Sequence, residues 1–338
     1  MKRWLLPLCA ALACGPLPFD PQSSIEGVRV LASRTETPYA LPGEDIDVEL
    51  LVVDGRRERP RPLVVGWLPL LCINPAADLY LACFSPDTRV QLASGVIGSA
   101  SPPTGGQGLD IGALAGTDIT GLLTPGPRFS FTMPDDAIIK HPNGRDYGLV
   151  VLFNIACAGR VRIAKLDPAA GQQQMPLECV DDAGNVLGAN DYVVGFTRVY
   201  AYTDRRNQNP QITGVTFEGK PIDLSVGVEV PTCTKKLRTE CESYDFDVLS
   251  NPDAQERKLG ETPQNGEVSR EQVYAQLYTT TGLFSPEALL LFDAVTGAVD
   301  DRRASFIPPA QPAEGRIYVV LKDDRGGTSW VDFPVRVK

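Results

Sequence analysis

Imidazole is almost missing from this chain of 338 residues: His141 is its single histidine. A serine–histidine–aspartate triad would have to use it. It sits in the turn-forming run Lys140-His-Pro-Asn-Gly144, and no G-x-S-x-G elbow supplies a serine. A zinc site is disfavoured on the same ground, because there is no C-x-x-C pair and one histidine cannot complete a ligand set. H-E-x-x-H, a P-loop and a G-x-G-x-x-G after a strand are all missing. The run Gly105-Gly-Gln-Gly108 lacks a following Lys-Ser/Thr and reads as a flexible loop. Long apolar stretches are missing too. The run Trp4 to Ala13 falls short of the ~20 residues that span a bilayer, so no transmembrane helix is expected. Cations are in deficit, 32 against 42 anions for a net charge of −10. A field of that sign disfavours nucleic acid and anionic headgroups. Long helical periodicity is also lacking.

What is present is short, turn-punctuated strands. Hydrophobic residues make up 43% of the chain, enough for real cores, and 31 Gly with 29 Pro favour turns over long helices. Asp45-Ile-Asp-Val-Glu-Leu50 alternates polar and apolar, the mark of a half-buried strand. Further strands are predicted at 28–33, 63–68, 128–132, 147–153, 192–202, 212–217, 244–248, 273–278 and 288–292. The closing hairpin is read over Arg316–Lys322, the turn Asp323-Asp-Arg-Gly-Gly327, and Trp330–Val337. Between Leu70 and Pro127 the pattern fails, and the stretch reads as a loop-rich insertion, passive or functional. Asn207-Gln-Asn-Pro210 marks a domain boundary. The expected fold is all-β: two sandwiches in tandem, over 28–206 with the insertion at about 71–127, and over 207–338.

The first residues, Met1-Lys-Arg-Trp-Leu-Leu-Pro-Leu-Cys-Ala-Ala-Leu-Ala-Cys14, have the layout of a secretory signal. Ala11-Leu-Ala-Cys14 resembles the lipobox of bacterial lipoproteins. That resemblance implies cleavage after residue 13, lipid on Cys14, and a membrane anchor, with Gly15 leaning towards the outer membrane. Residues 14–27, rich in Pro, would be an extended tether. Cys9 leaves with the signal, and six cysteines remain: Cys72, Cys83, Cys157, Cys179, Cys233 and Cys241. An even number in an exported chain reads as disulfides. Six cysteines allow fifteen pairings; nearest-neighbour pairing closes short local loops and is the expected one.

Several segments are similar to bacterial Ig-like modules of the PKD or cadherin type. They are Val30-Leu-Ala-Ser-Arg-Thr-Glu-Thr-Pro-Tyr-Ala-Leu-Pro-Gly-Glu44, Asn209-Pro-Gln-Ile-Thr-Gly-Val215 around the joint, Tyr278-Thr-Thr-Thr-Gly-Leu-Phe284, and Tyr318-Val-Val-Leu-Lys-Asp-Asp-Arg-Gly-Gly-Thr-Ser-Trp330. The resemblance covers roughly 28–70 and 207–338. It implies tandem Ig-like sandwiches on a surface lipoprotein, with Trp67 placed as a buried sandwich aromatic, and it implies no activity. Cadherin-like modules take calcium between domains, which here would fall to Asp204, Asn209, Asp323 and Asp324; Asp323 and Asp324 otherwise simply cap the hairpin turn. No other cofactor is expected. The carboxylate pairs Asp135-Asp136, Asp181-Asp182 and Asp300-Asp301 are the one route to glycoside hydrolysis without histidine, but all sit in turn-like contexts. The basic tips Arg56, Arg57, Arg59, Arg61 and Lys235, Lys236, Arg238 are solvated charges or a dock for an acidic partner or polysaccharide.

The expectation is therefore a non-enzymatic, lipid-anchored envelope protein, structural or adhesive, that meets a protein or glycan partner. The alternative is a glycan- or substrate-binding accessory subunit of an envelope polysaccharide or secretion machine, and an envelope glycosidase is the third reading. Protein extracted from whole cells is expected to yield an N-terminal peptide that begins at an acylated Cys14. A mass spectrum with an unmodified residue 14, or a start beyond it, would count against the anchor.

Overall fold

A computed structural model describes residues 21–85, 87–93, 114–142, 144–164, 175–251 and 270–338. Cys14, the signal and the first part of the tether lie outside the described residues. The fold is all-β: short 3-10 turns aside, the regular elements are strands. Each strand forms where apolar residues alternate or run together between turn residues. Asp45–Asp54 buries Ile46, Val48 and Leu50 and exposes Asp45 and Asp47.

The first sandwich pairs two sheets. One holds three antiparallel strands in the order Val28–Thr35, Asp45–Asp54, Arg128–Thr132. The other runs Tyr39–Ala40, Tyr192–Ala201, Asp146–Cys157, Val64–Trp67, Thr124–Pro125. Between them lies a core of Ile46, Val48, Leu50, Phe129, Phe131, Val150, Leu152 and Val199. Trp67 sits in this core, fully buried, with its ring 5.5 Å from Phe129. No disulfide crosses this core. The Cys72–Cys83 and Cys157–Cys179 bridges lie on the far face of the larger sheet, in a second apolar layer with Leu149, Val151, Phe153 and Ile155. Asp146–Cys157 is therefore buried on both faces from Tyr147 onwards. The third bridge is Cys233–Cys241, so nearest neighbours pair throughout, with Cα–Cα distances of 5.6, 5.7 and 5.4 Å. Bridges of this kind contribute ~2–4 kcal/mol each and belong to an oxidising, exported compartment. No described helix is long and apolar enough to cross a membrane.

The second sandwich packs Lys220–Pro221, Ile212–Phe217, Tyr244–Ser250, Arg303–Ile307, Leu283–Ser285 against Val228–Val230, Thr328–Val337, Ala313–Asp323, Val273–Thr279, Ala288–Asp293, Gly297–Ala298. Its core is aromatic, built from Phe246, Phe284, Phe306 and Phe333. The closing hairpin pairs Ala313–Asp323 with Thr328–Val337 in unbroken register.

Two expectations need correction. The stretch 71–127 is not all loop where it is described. Leu70–Ile73 pairs with both Asp146–Cys157 and Arg89–Leu92, and Thr124–Pro125 pairs with Val64–Trp67. The run Leu70-Leu-Cys-Ile73 is covered on both faces and so shows no alternation to read. Residues 94–113 lie outside the described residues. The tether also ends earlier than residue 27. Ser23 and Ile25, 0% and 1% exposed, are laid into the second domain. The Ile25 amide donates to the Thr279 carbonyl at 2.8 Å, and the Thr279 amide to the Ser23 carbonyl at 2.8 Å. The Ser23 hydroxyl accepts from the Phe284 amide at 3.0 Å. Gly55 makes room for this strap: a Cβ there would run into the Ile25 carbonyl.

Ile25 completes a small apolar seam between the domains, with Leu31, Ala32 and Val53 of the first and Tyr318 and Val320 of the second. Tyr318 and Val320 alternate with Ile317, Val319 and Leu321, which face the second core. Ile25→Ala is expected to cost about 2–4 kcal/mol in chemical denaturation, the range for emptying a buried aliphatic site. Val295→Ala, at a side chain 82% exposed, is expected to stay within ~0.5 kcal/mol of wild type. Equal effects would mean the strap is not part of the fold.

Candidate functional site

The seam does not run the whole length of the joint. Beyond Val320 it opens into a cleft of about 560 Å³. The floor comes from the strand Tyr192–Ala201. Its residues Val199 and Ala201 point into the first core, so Phe196, Arg198, Tyr200 and then Tyr202 point the other way. Register places Leu149 beside Tyr200, Val151 beside Arg198 and Phe153 beside Phe196. The rings form a ladder: Tyr200–Tyr202 6.4 Å, Tyr147–Tyr200 5.9 Å, Tyr147–Tyr202 6.2 Å, Tyr39–Tyr202 4.7 Å and Tyr80–Phe196 4.1 Å between centroids. His141 stacks on Tyr147 at 3.5 Å, with its Nε2 3.1 Å from the Tyr147 carbonyl. It is a ring in a stack.

Burial pushes the phenols of Tyr147 and Tyr200 upward, and that of Tyr202 up to about 12, so all three stay neutral at physiological pH. The Tyr147 hydroxyl donates to Asp78 Oδ2 at 2.5 Å. Asp78 is held there by a left-handed backbone: Asn74, Ala77 and Asp78 have φ of 48°, 54° and 57° without being glycine. Such conformations cost ~1–3 kcal/mol each and persist only where surrounding structure enforces them. Here Asn74 is clamped by the Ala137 carbonyl at 2.7 Å and the Leu149 amide at 2.8 Å.

The opposite wall is the turn of the closing hairpin, with Lys322, Asp324, Arg325, Gly326 and Thr328. Arg325 ties the domains. Its guanidinium reaches Glu271 Oε1 and the Arg206 carbonyl, each at 2.7 Å, and lies 5.1 Å over the Tyr39 ring. Arg205 lies 4.8 Å over Tyr202 and Arg198 4.8 Å over Phe196. Arg198 also donates to the Asp78 carbonyl at 3.3 Å, and neither it nor Lys322 forms an ion pair among the described residues. Burial lowers the affinity of Lys322 for its proton. Five cations and three carboxylates line the cleft, and two of the cations, Arg325 and Arg205, are paired with Glu271 and Asp204.

The residues singled out from sequence fall elsewhere. Asp204, Asn209, Asp323 and Asp324 do not form a calcium cage. Asp204 pairs with Arg205, and Asn209 bridges the Thr35 and Glu36 carbonyls to the Thr328 amide. Asp323 is buried and accepts from the Arg325 and Gly327 amides and from Asn207 Nδ2. No group of three or more metal-ligating side chains converges among the described residues. Asn209 and Asp323 help build the joint instead, and Asp324 accepts from the Gln272 amide. Arg56 is not a solvated tip either. It is 6% exposed, bound to both oxygens of Asp54 at 2.9 Å and to Asp191 at 3.3 Å. Arg59 bonds the Asp54 carbonyl, Arg57 is exposed and Arg61 half-buried, while Lys235, Lys236 and Arg238 are exposed. Asp136 pairs with Arg89, Asp181 caps the turn to Asn185, and Asp301 pairs with Arg303. The aromatic floor was missed. Its signal is the period-two run Tyr192, Val194, Phe196, Arg198, Tyr200, Tyr202.

No family model matches the sequence, and no curated protein does. Among solved structures, dimeric latent PorU from Porphyromonas gingivalis is 10% identical over 93% of this chain and 24% of its own, with a TM-score of 0.21. The chain thus spans about a quarter of that protein. Murine CEACAM1b is 10% identical over 90% of this chain and 100% of its own, with a TM-score of 0.15. Both overlaps are too slight to transfer fold or function.

Burial holds the Asp323 carboxyl above its ordinary value of 3.8, against the lowering pull of the two amides, Asn207 and Arg325. The folded state therefore keeps this proton longer than the unfolded chain. The group stabilises the fold at acid pH, and that contribution is lost as pH rises from the ordinary value through the folded one. Asp323→Asn keeps an acceptor for both amides and cannot ionise. In denaturation series from acid to neutral pH, wild type is expected to lose stability relative to Asp323→Asn as pH rises above 3.8. A pH-independent difference would remove the titration.

Proposed function

We propose that this chain is an exported, non-enzymatic envelope protein, anchored at Cys14, that binds a glycan in the cleft between its two sandwiches. The observation that carries this reading is the pair of half-buried rings Tyr200 and Tyr202, which line the joint beside Phe196 and the buried Tyr147. Neutral rings with an apolar face and a hydroxyl edge suit a pyranose, which also has a CH face and a rim of hydroxyls. A volume of about 560 Å³ lies within the ~300–1,000 Å³ of small-molecule sites. Between the adhesive role and the accessory-subunit role, the cleft favours recognition of a saccharide over docking by a flat face. The envelope protein that hands over or shares that saccharide, and the outer membrane as its location, belong to the same proposal.

Hydrolysis fits less well, since one member of each carboxylate pair read from sequence is a turn cap or an ion-paired surface group. Tyr200→Ala and Tyr202→Ala are each expected to weaken binding to an immobilised glycan library by about tenfold or more, the worth of one aromatic contact surface. Thermal melting checks that each variant is folded. A library with no binder to the wild type would sink the reading, and so would binders indifferent to both substitutions.

A further inference from the structure

Beside the cleft lies a second cavity, of about 380 Å³, that shares Ser33, Phe196 and Thr197 in its wall. It opens between the Val28–Thr35 strand and the edge of Tyr192–Ala201, and reaches inward to Val30, Ala32 and Leu50. Two of the side chains that line this slot, otherwise apolar apart from Ser33, each carry a buried polar atom without a partner. Asn154 Oδ1 and Thr197 Oγ1 are buried atoms with no hydrogen bond, in residues 2% and 6% exposed. Buried polar groups are nearly always satisfied, and an orphan of this kind costs ~1–3 kcal/mol until something pairs with it. Gly195, the register partner of Asn154, keeps the slot open: a Cβ there would lie 2.8 Å from Asn154 Oδ1.

The slot therefore asks for a small group with an apolar end, one donor and one acceptor. An acetamido group has all three. Its N–H would donate to Asn154 Oδ1, its carbonyl would accept from the Thr197 hydroxyl, and its methyl would lie against Val30, Ala32 and Leu50. The adjoining cleft adds a second requirement. Arg198, which donates to the Asp78 carbonyl, and Lys322 line it without an ion pair, beside Asp78, Asp146 and Asp324, so a sugar carboxylate turned towards these two cations would be matched there. We propose that the glycan bound at the joint is an acidic, N-acetylated one, with its acetamido group in the slot beneath Thr197 and its carboxylate towards Arg198 and Lys322. This rests on the glycan-binding reading of the cleft and specifies its substrate class.

The test is calorimetric titration of the purified full-length chain with four tetrasaccharides. These are alternating glucuronic acid and N-acetylglucosamine, its carboxyl-reduced derivative, the N-acetylglucosamine tetramer, and cellotetraose. The acidic N-acetylated sugar is expected to bind about tenfold more tightly than the carboxyl-reduced form or the N-acetylglucosamine tetramer, and more tightly still than cellotetraose. Added salt is expected to narrow the gap that the carboxylates open. Thr197→Val, which keeps the shape, is expected to erase the preference of the N-acetylglucosamine tetramer over cellotetraose, while Thr197→Ser keeps it. Lys322→Gln with Arg198→Gln is expected to erase the preference for the carboxylate. Melting curves check all variants for folding. Equal affinity for the four sugars overturns the substrate class and leaves the glycan reading standing. Binding to none of them, or capture of an extended peptide along the Tyr192–Ala201 edge instead, overturns both.

Discussion

The joint between the two sandwiches is held by a seam that neither domain could form alone. Tyr318 and Val320 leave the second core and meet Leu31, Ala32 and Val53 of the first domain, and Ile25 closes the gap from the N-terminal side. An isolated apolar patch of this size would be too small to fix two domains. What fixes it is the ring of directional contacts around it. Ser23 and Ile25 extend the second domain's sheet along Thr279. Asn209 binds carbonyls of the first domain and an amide of the second, and Arg34 lies 4.2 Å over Trp330. The apolar contacts supply the free energy, and the hydrogen bonds set which rotation of one domain against the other is allowed. The cleft exists only at that rotation.

Buried charge within the joint follows the same logic. Arg325 and Glu271 form an ion pair with side chains 7% and 1% exposed. A buried pair of this kind seldom adds much net stability over an apolar replacement, because both ions lose their hydration. It does penalise every arrangement that separates the partners. Asp323, Asn207 and Arg325 are joined through one hairpin turn, so the turn that walls the cleft is also the turn that registers the domains. Ordering the joint and shaping the cleft are one task.

Much of the fold could be read from the chain. Strands with clean alternation, such as Asp45–Asp54, and the hairpin around Asp323–Gly327 depend on local pattern and turn chemistry, and both are where the sequence places them. Nearest-neighbour cysteines pair because each pair sits at the ends of a short local loop. What could not be read depends on distant residues. Arg56 looks like one charge in a basic tip, but its partner Asp191 lies 135 residues away. Ser23 and Ile25 look like linker, since nothing near them predicts the groove that Gly55 and Thr279 leave for them. The period-two run from Tyr192 to Tyr202 is visible, but alternation does not say which face meets a core and which is left open. Leu70–Ile73 fails the opposite test, since burial on both faces leaves no alternation at all.

That last point also explains where the cleft is. Asp146–Cys157 carries apolar residues on both faces, so the larger sheet of the first sandwich needs cover on its outer side as well. The cover comes from segments around Cys72–Cys83 and Cys157–Cys179, and the two bridges pin it. It reaches Leu149, Val151, Phe153 and Ile155, but gives way towards Tyr147 and the end of the neighbouring strand, where Arg198, Tyr200 and Tyr202 remain accessible. A sheet face left bare at such a place would ordinarily be apolar and would invite aggregation. Here it carries tyrosine and arginine, which have apolar bodies and polar ends and tolerate both water and a partner. The second domain meets the first beside this gap and walls it with the hairpin turn. The cleft is thus an interruption of a covering layer, bounded by the Tyr192–Ala201 strand on one side and the hairpin turn on the other.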